Sequence, residues 1–389
     1  MKPMKNIIFG SIALAVMALS SCNDPKDEYS YGSQIEYDWN AAADSSSTAL
    51  INKFWNETDN YFNYGNDSKD LTFHYWPNAH AMDVLVDAYL RTGDSKYSAY
   101  FDKWLAGIKI KNGNTYENAY VDDMEWNALT MIRIYNATKD EKYLDTAKQL
   151  WTWIKDAWSE DVGGGIRWCT GSWEAFTKNA CSNGPAAIIG ARMYQITNDE
   201  SDLEWAKKIY DWEKQTLVNS STGEVKDNIN VETGTVSGTA LTYNQGTYVG
   251  AGVELYNLTK EIIYLNDAKK AANYTVSTLI NSSSNVLRDE GSGDNGLFKG
   301  IFMRYFFELI KVNDLDDAYK HKFITFFNNN AYELWSSGVY KKGTYDDNLL
   351  FGTSWDSAPV SFTQLTSQAS GCMLIEAKAA YEKWNTSQK

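Results

Sequence analysis

The feature that most constrains the fold of this chain is a helix–turn–helix unit that recurs along it. Each copy begins with a segment of small and apolar residues, which predicts a helix that is buried on most sides. A short turn containing Thr or Asn and Asp follows. The second segment carries apolar residues at helical spacing, as at Tyr143, Leu150 and Ile154, and predicts a helix with one wet face. The five copies occupy residues 78–97, 126–144, 183–200, 244–265 and 300–314.

Repeats of this kind predict an all-α fold made of helix pairs. Counting residues 45–62 as an opening outer helix and 366–384 as a closing inner helix gives six inner and six outer helices. We therefore expect an (α/α)6 barrel, a closed ring of helix hairpins, with an open helical solenoid as the alternative. Closure is favoured because the terminal helices are apolar on one face and lack polar caps. The long loops would then gather at one barrel mouth, and they span residues 161–180, 227–243, 282–297 and 338–360.

The start of the chain predicts a targeting segment rather than part of the barrel. Lys2 and Lys5 precede an apolar stretch at 7–19 that is short for a membrane-spanning helix. Leu19-Ser20-Ser21-Cys22 then matches a bacterial lipobox, in which small residues precede a cysteine that receives lipid. An ordinary signal peptide with an incidental cysteine is the alternative.

These signals divide the chain into three parts. Residues 1–22 are predicted to be a lipoprotein signal peptide ending at the lipidated Cys22, residues 23–40 an acidic flexible tether, and residues 41–389 a single (α/α)6 domain. The lipidated cysteine would anchor the protein to the outer membrane, on its cell-surface or its periplasmic face.

Charge and aromatic content narrow the possible partners. The formal net charge of −14 at pH 7 argues against nucleic acid and against an anionic membrane surface, and it suits a neutral substrate. The chain contains 15 Trp and 26 Tyr, which are side chains that present an apolar body and a polar tip to a sugar face. We expect a monomer that meets the membrane only through its lipid anchor.

The remaining cysteines and the known motifs predict neither a metal nor a cofactor. Cys169, Cys181 and Cys372 are odd in number, so they cannot all be paired. A bridge between Cys169 and Cys181 is possible, but three buried thiols are favoured. The chain has no Cys/His cluster at metal-ligand spacing, no glycine-rich phosphate loop and no serine elbow.

The strongest chemical signal is the pair Asp122-Asp123, which opens a segment that otherwise reads as a buried helix. Two carboxyl groups at one site disfavour each other's ionised form. A glycosidase uses that arrangement to keep one carboxyl protonated as an acid and the other ionised. The alternative is an ordinary acidic first helical turn, which the helix macrodipole stabilises.

Five motifs in this order resemble glycoside hydrolase family 76, the bacterial endo-α-1,6-mannanases. The resemblance covers most of the chain beyond the tether, and the lipoprotein start looks like that of mannan-degrading gut Bacteroidetes. The matching stretches are DDMEW at 122–126, GGGIRW at 163–168, KNACSNGP at 178–185, TYNQG at 242–246 and FKGIFMRY at 298–305.

The resemblance implies an (α/α)6 barrel that hydrolyses the α-1,6-mannose backbone of yeast-type α-mannan with retention of configuration. It assigns Asp122 as the nucleophile and Asp123 as the acid/base, and it implies α-mannan or α-1,6-manno-oligosaccharides as the ligand. Retention needs carboxyl groups about 5–5.5 Å apart. Neighbours on a regular helix diverge by about 100°, so the spacing of this pair stays open in the sequence.

Further residues of these motifs are candidates for sugar binding, each with a structural alternative. Gly164 and Gly165 allow either a close approach of the backbone to a ligand or a plain turn. Aromatic residues could stack on sugars or belong to the core, and the asparagines could bind sugar or cap helices. His80 is expected to be structural. The complete set of candidates is Trp76, Trp126, Gly164, Gly165, Trp168, Asn179, Asn183, Tyr243 and Asn244.

Two alternatives to a mannan hydrolase remain. A surface glycan-binding lipoprotein without catalysis would also be helical and rich in aromatic residues, but it would not need paired acids at the start of an inner helix. A mannan transglycosidase on the same fold would pass its covalent glycosyl intermediate to a sugar instead of water.

Overall fold

Helices account for most of residues 35–174 and 176–388, which are the residues that this computed structural model describes. None of the helices in those ranges is long and apolar enough to cross a membrane. In chain order they are α1 (Trp39–Phe54), α2 (Tyr75–Thr92), α3 (Ser95–Ser98), α4 (Phe101–Lys111), α5 (Val121–Thr138), α6 (Glu141–Asp156), α7 (Gly184–Thr197), α8 (Glu200–Thr216), α9 (Thr242–Thr259), α10 (Ile262–Thr278), α11 (Asn295–Ile310), α12 (Asp317–Ser336) and α13 (Leu365–Ser387).

Six inner helices form a closed ring. Helices α2, α5, α7, α9, α11 and α13 each pack against the next, and α13 packs back against α2. The outer layer consists of α1, the α3–α4 pair, α6, α8, α10 and α12. This arrangement confirms the predicted (α/α)6 barrel and excludes the open solenoid.

Small residues let the inner helices approach closely. A Cβ at Gly246 of α9 would lie 2.6 Å from the Cα of Phe302 on α11, and a Cβ at Gly300 of α11 would lie 2.6 Å from the Cα of Ser370 on α13. No side chain fits at such distances, so these glycines set the spacing of the ring.

The first outer helix differs from its predicted position. It begins at Trp39, where Asp38 accepts hydrogen bonds from the backbone N–H groups of Asn40 and Ala41, and it ends at Phe54. The barrel therefore starts inside the stretch predicted as a tether, and residues 55–62, predicted as helix, form a short hairpin. The predicted signal peptide, Cys22 and most of the tether lie outside the described residues.

One turn recurs between inner and outer helices. The Thr138 hydroxyl donates to the Ile134 carbonyl (2.8 Å), Lys139 takes a left-handed conformation (φ 60°), and the Asp140 N–H donates to Thr138. Asp140 then caps α6 by accepting from the Lys142 N–H. The hydroxyl and N–H bonds recur at Thr92, Thr197 and Thr259.

The four predicted loops each lead from an outer helix to the start of an inner one, so they share one mouth of the ring, as expected. The connections from outer to inner helices, including the one between α1 and α2, carry short antiparallel strands that the sequence analysis did not predict. A three-stranded sheet joins the loops ahead of α7 and α9. The strands are β1 (Trp55–Asn56), β2 (Tyr61–Phe62), β3 (Thr177–Asn179), β4 (Asn228–Asn230), β5 (Val236–Ser237), β6 (Ile280–Asn281), β7 (Val286–Leu287), β8 (Val339–Tyr340) and β9 (Leu350–Phe351).

The other end of the ring is closed by ion pairs. Arg133 of α5 and Arg304 of α11 both pair with Asp83 and Asp87 of α2, and the Arg304 guanidinium lies 2.7 Å from the Asp87 carboxylate. A cavity of about 480 Å³ lies at this end. Its central guanidinium groups already have carboxylate partners, so their charge is balanced within the fold.

The recurrent turn predicts a clean stability difference between two matched positions. Gly93 has φ 69° and no heavy atom within 4 Å of an added Cβ, whereas Lys139 already bears a side chain in the same conformation. Gly93→Ala should lower the free energy of unfolding by about 1 kcal/mol, the cost of a left-handed L-residue. Lys139→Ala should leave it nearly unchanged. Equal losses in urea unfolding would contradict this account.

Candidate active site

The start of α5 places the two acidic side chains at the loop-lined mouth. Asp122 and Asp123 are the second and third residues of the helix, and both are partly exposed. The Val121 N–H donates to the Trp168 carbonyl (2.8 Å), and Thr170 donates to Ala119 (2.9 Å). The loop ahead of α7 is thereby bound to the helix start, which brings Trp168 beside Asp122.

Burial dominates the electrostatics of Asp122. It raises the pKa of this carboxyl to about 7, while hydrogen bonding from Cys181 and Trp168 acts in the opposite direction. The Oδ1 atom of Asp122 is buried and has no hydrogen-bond partner among the described residues. This oxygen is therefore available to a group that enters the site.

Asp123 is held more firmly in its neutral form. Burial raises its pKa well above the usual range, and the carboxylates of Asp122 and Asp294 add to the shift. At the level of the sequence we considered only the mutual repulsion of the two carboxyl groups, whereas burial is the larger cause. The pair titrates as a unit in which Asp122 gives up its proton before Asp123 does.

Two glutamates that the sequence analysis did not single out lie behind the pair. Glu125 of α5 and Glu213 of α8 are fully buried, and none of their four carboxyl oxygens has a partner among the described residues. Burial raises both pKa values well above the usual range, and for Glu125 the acidic neighbours Asp122 and Glu213 contribute as well. Both side chains are therefore uncharged near neutral pH.

The start of α9 contributes a second wall of the site. Tyr243 stacks on Phe298 at 3.9 Å between ring centroids, and its phenol faces Cys181 and Asp122. The Asn244 amide donates to Asp227 (2.9 Å), another acid that the sequence analysis missed. Tyr243 and Asn244, both predicted as site residues, are thus brought to the Asp122 side of the mouth.

Two buried amide oxygens, one on β3 and one on α9, lack partners within the described residues. The Oδ1 atoms of Asn179 and Asn244 are buried and make no hydrogen bond within the described residues. Amide oxygens are good acceptors for hydroxyl groups. Asn179, at 9% exposure, therefore remains a candidate for sugar binding, whereas Asn244 is fully buried and supports the site from behind.

The tryptophans differ in what they offer. Trp76 is partly exposed, and its indole N–H donates to Asp294 (3.0 Å) across the mouth. Trp126 is only 2% exposed and packs against His80 and Trp76. A ring buried to that extent has no free face for a sugar, so the predicted binding role of Trp126 is replaced by a supporting one.

Three further candidates are structural. A Cβ at Gly164 would lie 2.6 Å from the Trp158 ring, and one at Gly165 would lie 2.5 Å from the Trp212 ring. These glycines make room for indoles, not for a ligand. Asn183 is fully buried and hydrogen-bonds both backbone groups of Ile166 (2.9 and 3.1 Å), so it ties the loop to α7.

The cysteines are free thiols. Cys169, Cys181 and Cys372 are all buried and unpaired, which confirms the favoured interpretation over a Cys169–Cys181 bridge. His80 is buried, and burial depresses its pKa, so it stays neutral. Within residues 35–174 and 176–388, no cluster of three or more His, Cys, Asp or Glu side chains could hold a metal ion.

A helical barrel that presents two partly buried carboxyl groups of unequal acidity at a loop-lined mouth has the arrangement of a glycoside hydrolase. Residues 38–388 match the family model described as glycosyl hydrolase family 76. The chain belongs to this family.

Solved structures and curated proteins agree with this assignment. The α-1,6-mannanase of Salegentibacter sp. HEL1_6 is 42% identical, with a TM-score of 0.83 over 88% of this chain and 99% of that chain. An inactive variant of it, with two consecutive aspartates replaced by asparagine and α-1,6-mannotriose bound, is 41% identical, with a TM-score of 0.82 over the same shares of both chains, 88% and 99%.

The mannan endo-1,6-alpha-mannosidase of Candida glabrata is 27% identical over 48% of this chain and 46% of that protein. The chain spans about half the length of the curated relatives it matches.

The buried glutamates predict how stability depends on pH. The folded-state pKa of Glu213 is raised, so its contribution to stability is complete below the unfolded pKa of about 4.3 and is lost as pH rises towards the folded value. Glu213→Gln replaces the titratable carboxyl with a neutral amide, so the variant does not lose this stability as pH rises. The advantage of the variant over the wild type should grow by up to about 1.4 kcal/mol per pH unit, measured by urea unfolding between pH 4 and 8.

The exposed Glu204 lies on the same helix, and Glu204→Gln serves as the matched control. A Glu213→Gln variant whose stability runs parallel to that of the wild type across this range would show that the buried carboxyl is not held neutral.

Proposed function

We propose that this protein is an endo-acting glycoside hydrolase that cleaves α-1,6-mannosidic bonds in the backbone of yeast-type α-mannan with retention of configuration. The observation that carries the proposal is the Asp122–Asp123 pair, whose members have unequal acidity at the mouth of the barrel. One carboxyl that ionises near pH 7 and one that keeps its proton match the two roles of a retaining mechanism.

The related mannanase supports the choice of this pair. In that enzyme, replacing two consecutive aspartates gives an inactive variant that holds α-1,6-mannotriose. This chain has three consecutive aspartate pairs, at 122–123, 316–317 and 346–347. Asp316 and Asp317 are exposed at the start of the outer helix α12, and Asp346 accepts from the backbone N–H groups of Lys342 and Asn348 within its own loop. Only the first pair starts an inner helix. It is therefore the pair suited to acid–base chemistry.

The proposed reaction has two steps. In the first step, the Asp122 carboxylate attacks the anomeric carbon while Asp123 gives its proton to the glycosidic oxygen, which leaves as a hydroxyl of the departing chain. In the second step, Asp123 takes a proton from water as the water oxygen attacks the same carbon, and Asp122 leaves as a carboxylate. The two inversions together retain the α configuration.

The character of the site supports a neutral sugar chain as substrate. Trp76 and Trp168 are partly exposed at the mouth, and the amide oxygen of Asn179 lacks a partner within the described residues. Aromatic faces and an unpaired amide suit the apolar faces and hydroxyl groups of mannose. The acidic groups at this mouth disfavour an anionic glycan.

The experiment that tests the proposal is hydrolysis of debranched α-1,6-mannan. The wild type should release α-1,6-manno-oligosaccharides, initially in the α configuration by NMR. Asp122→Asn and Asp123→Asn should fold normally and lose at least about 10²–10⁴-fold in kcat, because general acid–base catalysis alone contributes that much. The exposed Asp317 on the outer helix α12 supplies a control, since Asp317→Asn should keep its activity.

Chemical rescue distinguishes the two roles. An aryl mannoside with a good leaving group needs no proton, so its first step should be restored in Asp123→Ala, and azide should then give an α-mannosyl azide. No such product should form with Asp122→Ala. Rescue of Asp122→Ala instead would reverse the roles, an initial β product from the wild type would refute retention, and chain lengthening without hydrolysis would indicate a transglycosidase.

For the location, we propose a lipoprotein anchored to the outer membrane through Cys22. The support is the lipobox at Leu19-Ser20-Ser21-Cys22, which lies outside the described residues. Cys22→Ala should move the protein from the membrane fraction to the soluble fraction, while Ser21→Ala, which keeps a small residue before the cysteine, should not. A Cys22→Ala protein that still sediments with membranes would contradict the lipid anchor.

A further inference from the structure

We propose that Asp294 is a positioning residue of the catalytic reaction: its carboxylate faces Asp123 and keeps that side chain basic after the charge of Asp122 has been consumed. The inference rests on the proposed function, in which Asp123 is the acid/base. It adds a third carboxylate, from a different helix, to the machinery of the Asp pair.

Three hydrogen bonds, one to its own side chain and two made by its neighbours, hold Asp294 in place. It directly precedes α11, but its side chain does not cap that helix. Its Oδ1 atom instead accepts from the indole N–H of Trp76 on α2, at 3.0 Å. On either side, the Gly293 N–H donates to Gln364 (2.7 Å) and the Asn295 amide donates to the Glu290 carbonyl (2.8 Å). The carboxylate is thus fixed at the mouth instead of being used in the helix cap.

Three groups from separate elements of the mouth act electrostatically on Asp123. They are the carboxyl of Asp122 on α5 itself, the carboxylate of Asp294 ahead of α11 and the phenol of Tyr75 on α2. No basic side chain of the described residues faces Asp123. Its proton is therefore held by burial and by two negative neighbours, with no cation to oppose them.

The two negative neighbours differ in what the reaction does to them. When Asp122 forms the ester with mannose, it loses its charge, and its repulsion on Asp123 disappears. The next step needs Asp123 as a base that takes a proton from water, and a base is stronger when a negative charge stands beside it. Asp294 makes no covalent bond in the reaction, so its charge persists and supports this second step.

The test uses a neutral isostere. Asp294→Asn keeps an oxygen that can accept from the Trp76 indole and removes only the charge. The upper pH limb of kcat/KM on α-1,6-mannan reports Asp123 in the free enzyme. That limb should move to lower pH by about half to one unit, because an exposed charge is partly screened.

The second readout is the covalent intermediate. With an activated aryl mannoside, the first step needs no proton, so a weaker base slows only the second step. The Asp294→Asn variant should therefore accumulate mannosyl-enzyme, seen by intact-protein mass spectrometry, more than the wild type does. Asp294→Glu, which restores the charge, should return both readouts towards the wild type, and Asp294→Ser is a second neutral variant should the asparagine variant fail to fold.

A matched control separates this effect from a general loss of negative charge at the mouth. Asp289 lies in the same loop and is held by the Gly291 N–H and the Thr353 hydroxyl, both at 2.8 Å, away from Asp123. Asp289→Asn should leave the upper limb where it is. Equal shifts in the two variants would overturn the specific role of Asp294.

The failure of this inference can be told from that of the proposed function. A wild-type protein that does not cleave α-1,6-mannan overturns the proposed function, and the role of Asp294 with it. An active wild type whose Asp294→Asn variant keeps its upper limb and accumulates no more intermediate overturns the role of Asp294 alone.

Discussion

Closure of the inner ring is the constraint on which the rest of the structure depends. Contact between helix backbones at Gly246 and Gly300 leaves no room for side chains, so the inner helices must pack at a close spacing. Outer and inner helices alternate along the chain from α1 to α13, so all six inner helices start at the same mouth. The long loops and the two aspartates meet there as a consequence of the ring.

The ring also decides which electrostatic effect prevails at that mouth. Helix N-termini favour negative charge, typically by about 0.3–1 kcal/mol for an exposed group. Burial works against this, because it raises the pKa of Asp122 from 3.8 to about 7, which corresponds to roughly 4 kcal/mol. The desolvation of the first turn of α5 therefore outweighs the helix dipole. On the protein surface, aspartates at a helix start would be ionised at neutral pH. Here the pKa of Asp122 lies at about 7, so its protonation changes near neutral pH.

The sequence was most informative where periodicity and local chemistry agree. The repeated pairs, with the turn at Thr138 and Asp140, predicted the barrel because each signal is local. The range 45–62 was predicted as one helix because its apolar residues are close to helical spacing, yet the strand pairing of Trp55 with Phe62 ends the helix at Phe54. Such pairing depends on tertiary contacts, which a short apolar stretch does not reveal.

The site residues also fall into those that a local sequence signal reveals and those that only tertiary contacts bring together. Asp122-Asp123 was found because two adjacent acids in an apolar segment are unusual. The sequence left two roles open for Gly164 and Gly165, because the indoles that occupy the space beside them, Trp158 and Trp212, lie outside the motif. Asp294 gives no local signal, since only the ring brings it to face α5.

The distribution of cations explains how the acids at the mouth stay protonated. At the far end of the ring, Asp83 and Asp87 are paired with arginines. At the catalytic mouth, the buried Lys178 instead donates to the backbone carbonyls of Ser159 and Asp161, and burial lowers its pKa to about 8.

Lys299 is also buried and donates to the Thr353 carbonyl rather than to Asp122 or Asp123. A cation beside Asp123 would lower its pKa and remove the proton that the proposed mechanism needs. Glu125 behaves consistently, because it too is buried without a cation and stays neutral. The fold thus pairs Asp83 and Asp87 with arginines at one end of the ring and, within the described residues, leaves Asp123 and Glu125 without a cation at the other. The absence of a cation beside Asp123 in that part of the chain makes a carboxylic acid available near neutral pH.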